Sequence, residues 1–152
     1  MNGACRIAID GTLPKALALP RAELRAAAAA FAAKSSRRIG VAFRAVTVIV
    51  QNDASSDAAH RAIMGVEGET DVITQGYDAM PGEDEGVYGE LYVNADRALR
   101  AAPRRRGWSP AKEFLLYVAH GMDHLSGADD HEPADYARMR RRELKWLKEV
   151  SE

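Results

Sequence analysis

The run Ile39 to Val50, IGVAFRAVTVIV, is the feature that most narrows the possible folds. β-Branched and aromatic residues crowd it, and Val41, Phe43, Val46, Val48 and Val50 are candidates for one or two buried faces. Such a run reads as a central strand, and a central strand needs covering layers. The flanking sequence offers them. From Pro20 the chain turns Ala-rich, with Leu24 and Phe31, and a proline in the first turn of a helix costs no hydrogen bond. That helix is expected to fray near Ser35. After the strand, Asn52 and Asp53 offer caps for a helix through Ala59 to Met64, closed by Gly65.

The same alternation runs along the rest of the chain. Cys5 to Asp10 alternates around Ile7 and Ile9 and reads as a short strand. Thr70 to Gly76 and Val87 to Val93 read as two more, the latter with Gly89 hinting at a close backbone approach. The acidic run Glu83 to Glu85 between them reads as a solvated loop. Ser109 caps a helix expected over Pro110 to Leu125, Gly127 stops it, and Pro133 starts a last helix reaching about Val150. Interleaved strands and helices predict an α/β layered domain, with a small mixed sheet packed by helices and a metal site at the end of a helix. The length of 152 residues suits a single domain over 1–152.

Charge and cysteine content exclude several classes. The formal net charge is -1, from 21 Lys+Arg against 22 Asp+Glu, so the chain cannot coat nucleic acid through bulk electrostatics. Any RNA contact must come from local patches. The single cysteine, Cys5, has no internal disulfide partner, and no apolar run approaches the roughly 20 residues that span a bilayer. MNGACRIAID lacks the basic region and continuous apolar core of a signal peptide. A cytoplasmic protein without a membrane partner is expected.

Chemistry concentrates in one place: three of the four histidines fall within HGMDHLSGADDH, from His120 to His131. A pair at i, i+4 on a helix projects from one face about a turn apart, as two imidazoles converging on one ion require. A residue without a β-carbon at Gly127 lets the chain return, so that His131 completes the ligand set, with Asp130 as the alternative third donor. Three protein ligands and an open position suit a catalytic zinc ion, although three imidazoles accept other divalent ions as well. A structural site would close with a fourth ligand. The spacing differs from that of the zinc peptidases, where Glu follows the first histidine; here Gly121 stands there, which argues against peptidase chemistry.

This segment resembles the signature H-G-x-L-H-L-x-G-Y-D-H of the YbeY family of metal-dependent endoribonucleases. Thr70, Asp71 and Val72 are similar to its T-D-V-L-S-F segment, Gly89 to Leu91 to its G-E/D-I strand start, and Ala137 to Glu143 to its arginine- and glutamate-rich final helix. Together the blocks span about residues 45 to 150. Three positions depart from the pattern: Asp123 replaces an apolar Leu, Ala128 replaces Tyr, and one extra acid precedes His131. The resemblance implies a small α/β fold with His120, His124 and His131 as both metal ligands and catalytic residues. It also implies cleavage of single-stranded RNA in maturation of the 3' end of small-subunit ribosomal RNA and in ribosome quality control. Ribosomal RNA and small-subunit proteins are then the expected partners, and DNA is not.

Some family members carry an arginine ahead of T-D-V. Met64 occupies that place here, and Arg61 is the candidate substitute. Arg104, Arg105 and Arg106, with Arg97 and Arg100, are further candidates for phosphate, as are Arg138 and Arg140 to Arg142 on the last helix, because guanidinium forks suit phosphate oxygens. Tyr77, Tyr88, Tyr92 and Trp108 are candidates to stack bases or simply to pack. Asp71 either orders a ligand imidazole or caps backbone. Two rival functions share the metal: hydrolysis of another substrate such as a peptide or small amide, and a ribosome-associated binding module in which the ion only stabilises the fold.

Overall fold

The computed structural model describes residues 3–151. Met1, Asn2 and Glu152, part of the expected domain span, lie outside the described residues. In chain order the elements are β1 (Arg6–Asp10), α1 (Arg21–Ile39), β2 (Phe43–Gln51), α2 (Asp53–Ala59), β3 (Val72–Tyr77), β4 (Val87–Asn94), α3 (Ala95–Ala101), α4 (Pro110–Leu125) and α5 (Pro133–Val150). A π-type turn, His60–Met64, continues α2. The four strands form one mixed sheet in the order β1-β2-β4-β3. β1, β2 and β4 run parallel, while β3 lies antiparallel to β4 on the edge.

The long β-branched run does form a central strand, but its first residues belong elsewhere. Ile39 ends α1, which runs past Ser35 to a left-handed Gly40, and β2 starts only at Phe43. Ser35 and Ser36 face inward, and Ser36 Oγ accepts the Phe43 backbone N–H at 2.8 Å, so the helix end is sealed rather than frayed. Expected caps appear at three places. Asn52 and Ser55 form a reciprocal capping box, Gly65 closes the following turn, and Ser109 accepts from the Lys112 backbone at 3.1 Å.

The core lies between the sheet and a helical layer. Leu24, Phe31, Val46, Val48, Leu91, Val93, Phe114, Leu116, Val118 and Met122 are fully or almost fully buried in it. α4 runs through this layer against β3, β4, α1, α3 and α5, and is apolar nearly all round. Small residues let it approach the sheet. A Cβ on Gly121 would meet Leu91 Cδ2 at 2.8 Å, and one on Gly89 would meet Leu125 Cδ2 at 2.7 Å. The close approach expected at Gly89 is therefore real, and it seats the end of α4, which carries His120 and His124, directly on β4.

Candidate metal centre

His120 and His124 stand one turn apart near the C-terminus of α4, and their rings meet edge to face with centroids 4.4 Å apart. Each ring is held by its Nδ1. His120 Nδ1 donates to both carboxylate oxygens of Glu143, at 3.0 and 2.9 Å, and Glu143 on α5 is completely buried. His124 Nδ1 donates to the Ala128 carbonyl at 3.1 Å. A carboxylate and a carbonyl only accept, so both protons belong on Nδ1 and each Nε2 presents a lone pair.

Those two Nε2 atoms lie 3.0 Å apart, and the Asp130 carboxylate reaches to 3.4 Å from His124 Nε2 and 3.7 Å from His120 Nε2. With both rings neutral, three acceptors converge, and either a proton on one Nε2 or a metal cation would bridge them. Bonds of about 2.0–2.1 Å to a tetrahedral ion would place neighbouring donor atoms about 3.3–3.4 Å apart, close to the three separations observed. His120, His124 and Asp130 are therefore spaced as three ligands of one such ion would be.

The turn that delivers Asp130 starts as expected. Gly127 adopts φ +95°, its N–H bonds the His124 carbonyl at 2.9 Å, and the Ala128 N–H returns to the Asp123 carbonyl at 3.2 Å. Its outcome differs from the first expectation. His131 does not join the group: its side chain is 87% exposed and its Nε2 lies 3.5 Å from Asp129 Oδ1. The three residues from Gly127 to Asp129 complete the reversal, so the fourth, Asp130, faces the rings and the fifth points outward. Counted without a gap, the signature HGxLHLxGYDH likewise puts Asp130 at its last histidine.

Electrostatics around His120 run in opposing directions. Burial pushes its pKa down, and the Glu143 hydrogen bond and charge more than reverse this, leaving it above the ordinary histidine value. Burial raises Glu143 above the usual carboxylate range, Asp123 adds to that, and His120 opposes it. In the metal-free chain Glu143 therefore favours the protonated ring, and a bound cation would take the place of the proton on Nε2 while the Nδ1–H bond to the carboxylate stays. This is the outer hydrogen bond that commonly orients a ligand histidine.

A cleft of about 500 Å³ opens beside the centre, lined by His124, Asp130, His131, His60, Met64, Val72 and Thr74 among others. Arg61 is not among its lining residues. That side chain is 56% exposed and engages Asp57 at 3.1 Å, whereas His60 and Met64, on the same π-type turn, face the cleft. The His60 Nδ1 bonds the Gly68 carbonyl at 2.9 Å.

Most of the other arginine candidates are also placed apart from the centre or engaged. Arg104, Arg105 and Arg106 precede α4, fourteen to sixteen residues before His120, and the ten-residue rise of the helix from Pro110 to His120 alone is about 15 Å. Arg105 lies over Trp108, whose indole N–H bonds Glu113. Arg97 and Arg100 pair with Glu69 and Asp53. Arg138 pairs with Asp135 and Arg140 stacks on Tyr136. Arg142 turns inward onto Asp123. Of the aromatic candidates, Tyr77 and Tyr92 both bond Glu90. Asp71 caps backbone, accepting the Val72 N–H at 2.7 Å.

Comparison with known proteins agrees with this architecture. The family model described as Endoribonuclease YbeY matches residues 15–151. A curated relative named Endoribonuclease YbeY from Rhodopirellula baltica is 36% identical over 129 residues, covering 84% of this chain and 63% of the relative. One of the same name from Thermus thermophilus is 34% identical over 105 residues, covering 68% of this chain and 74% of the relative. The chain spans about three fifths of the length of the first two relatives it matches. A solution structure from Thermotoga maritima shares the fold, with a TM-score of 0.60 over 96% of this chain and 88% of that one at 24% identity. By its matched length and its identity to these relatives, the chain belongs to the endoribonuclease YbeY family.

Proposed function

We propose that the chain is a metal-dependent endoribonuclease that cleaves single-stranded RNA, with His120, His124 and Asp130 as the ligands of one divalent ion. The observation that carries this reading is the convergence of two Nε2 lone pairs and a carboxylate beside an open cleft. Family membership adds the substrate class, since the relatives are named endoribonucleases. Maturation of the 3' end of small-subunit ribosomal RNA and ribosome quality control, in the cytoplasm and alongside small-subunit proteins, are the settings we propose on the same resemblance. Zinc is the proposed ion because two imidazoles and one carboxylate with a vacant position suit it.

A divalent ion held by His120, His124 and Asp130 would supply Lewis acidity, favouring charge build-up on a phosphoryl oxygen and making water acidic enough to act near neutral pH. The protein's own groups do the rest. Glu143 and the Ala128 carbonyl fix the two ring tautomers and their orientation. Val72, Ile73 and Met64 give the cleft an apolar wall that limits water on one side. His60 and His131 are the other nitrogen-bearing side chains lining the cleft, and we assign them to contact the phosphate or ribose of a bound strand. His131 thus moves from ligand to substrate contact. Arg61 and the Arg104 to Arg106 cluster are left as remote phosphate contacts on a longer strand.

The test uses purified protein with labelled single-stranded and duplex RNA and with a peptide library. Cleavage of the single strand alone, lost with a chelator and restored by a divalent ion, supports the proposal. RNA cleavage that survives complete metal removal rejects it. Peptide hydrolysis without RNA cleavage would transfer the site to the rival hydrolase reading.

A further inference from the structure

Asp123 is completely buried, one turn beyond His120 on α4 and directly before His124. Its carboxylate accepts four contacts from the Arg142 guanidinium, between 2.9 and 3.2 Å, and a longer one of 3.4 Å from Arg38 on α1. Arg38 also bonds Ser126 Oγ, at the start of the ligand turn. The Asp123 backbone carbonyl takes the Ser126 hydroxyl at 2.6 Å and the Ala128 N–H at 3.2 Å. Ala128 in turn holds His124.

Arg142 and Glu143 are consecutive on α5, and their partners Asp123 and His120 are i, i+3 on α4. The two helices are therefore cross-linked at two adjacent points. One link, Glu143 to His120, touches a ligand directly. The other grips a carboxylate where the family signature has an apolar residue. A buried carboxylate at a helix C-terminus is unfavourable on its own, because the helix dipole and desolvation both oppose it. Two guanidinium groups from α1 and α5 offset that cost. The bidentate fork also has one good orientation, which a greasy contact would not impose.

We propose that the Arg38–Asp123–Arg142 cluster is a positioning element of the metal centre. It acts on His120 by fixing the register of α5 and hence the Glu143 carboxylate, and on His124 and Asp130 by anchoring the Ser126–Ala128 part of the turn. The inference rests on the ligand set proposed above, and it touches neither ion nor substrate itself. It also gives the Asp123 departure from the family pattern a physical role.

The test combines two readouts on the full chain. Cobalt(II) titration gives affinity and the d–d absorption band, and ¹⁵N shifts of His120 in the metal-free protein report its tautomer. Arg142→Lys keeps the charge and loses the fork; Asp123→Asn keeps the shape and loses the charge. Each is expected to weaken cobalt binding about three- to tenfold, to alter the d–d band and to shift the His120 ¹⁵N resonances. Because either single variant can fail to fold, Asp123→Leu/Arg142→Leu is the companion: it leaves no unpaired buried charge, so it should melt near the parent, yet without the fork it should still bind cobalt about three- to tenfold more weakly. Single variants that melt earlier yet bind cobalt within twofold, with unchanged band and ¹⁵N shifts, would show a purely structural pair and overturn the proposal. A parent chain that takes up no cobalt would instead sink the ligand reading, and the metal-free ¹⁵N shifts would still decide the positioning claim.

Discussion

Replacing Glu143 separates its two contributions to the metal centre. Both carboxylate oxygens lie within 3.0 Å of His120 Nδ1, and the pair is buried between α4 and α5. A hydrogen bond to a charged group contributes about 1.5–3 kcal/mol, roughly twice a neutral one. Glu143→Gln keeps an acceptor oxygen and removes the charge, so about half, some 0.7–1.5 kcal/mol, should be lost from the preference for the Nδ1–H tautomer. At about 1.4 kcal/mol per factor of ten, zinc affinity should fall about three- to tenfold. Glu143→Ala removes the acceptor altogether and should fall within the roughly 10–100-fold range seen when such outer partners are lost. Stability of the metal-free protein should behave differently, because the glutamine relieves repulsion between Glu143 and buried Asp123. Its melting temperature should hold or rise. Competition against a chromophoric chelator measures affinity, and calorimetry measures melting. Zinc affinity within twofold of the parent in both variants would refute the claim that Glu143 orients His120.

Asp130→Ala should lower zinc affinity at least tenfold, whereas His131→Ala should leave it within twofold and raise KM for RNA; competition titration and cleavage kinetics check both. Gly89→Ala puts a methyl against Leu125 and should cost about 1–3 kcal/mol in chemical denaturation, falling below about 1 kcal/mol in a Leu125→Ala background. Burial pushes the Cys5 thiol from 9.0 up to about 11, so at pH 8 its thiolate fraction, and with it the rate of alkylation by iodoacetamide, should be about a hundredfold lower than in the unfolded chain. Since the raised value belongs to the folded state, Cys5 contributes stability below pH 9 that is lost as the pH rises towards 11, which denaturation at stepped pH will show.

Element ends were legible wherever a residue with one mechanical role stood there. Ser109 with Pro110, Gly127 and Pro133 bound α4 and α5 as read from the sequence. α3 was not legible, because it follows β4 without a proline or glycine between them, and its cap, Asn94, is also the last strand residue. Within the site, the i, i+4 histidine pair and the reversal at Gly127 were readable from spacing. The choice between Asp130 and His131 depended on how many residues the reversal takes, and an extra acid read as an insertion put His131 first. Asp123 looked like one more turn acid. Its partner Arg142 is nineteen positions away on a different helix, and only tertiary packing joins them. The pairing of Arg97, Arg100 and Arg138 was hidden for a related reason: local sequence gives charge, but not whether Asp53, Glu69 or Asp135 engages it.

Crystals grown with zinc and measured on either side of its absorption edge would test the ligand set most directly. One anomalous peak per chain is expected about 2.0–2.2 Å from His120 Nε2, His124 Nε2 and an Asp130 carboxylate oxygen, with the fourth position held by water. A peak bonded to His131 in place of Asp130, or one saturated by a fourth protein donor, would contradict it.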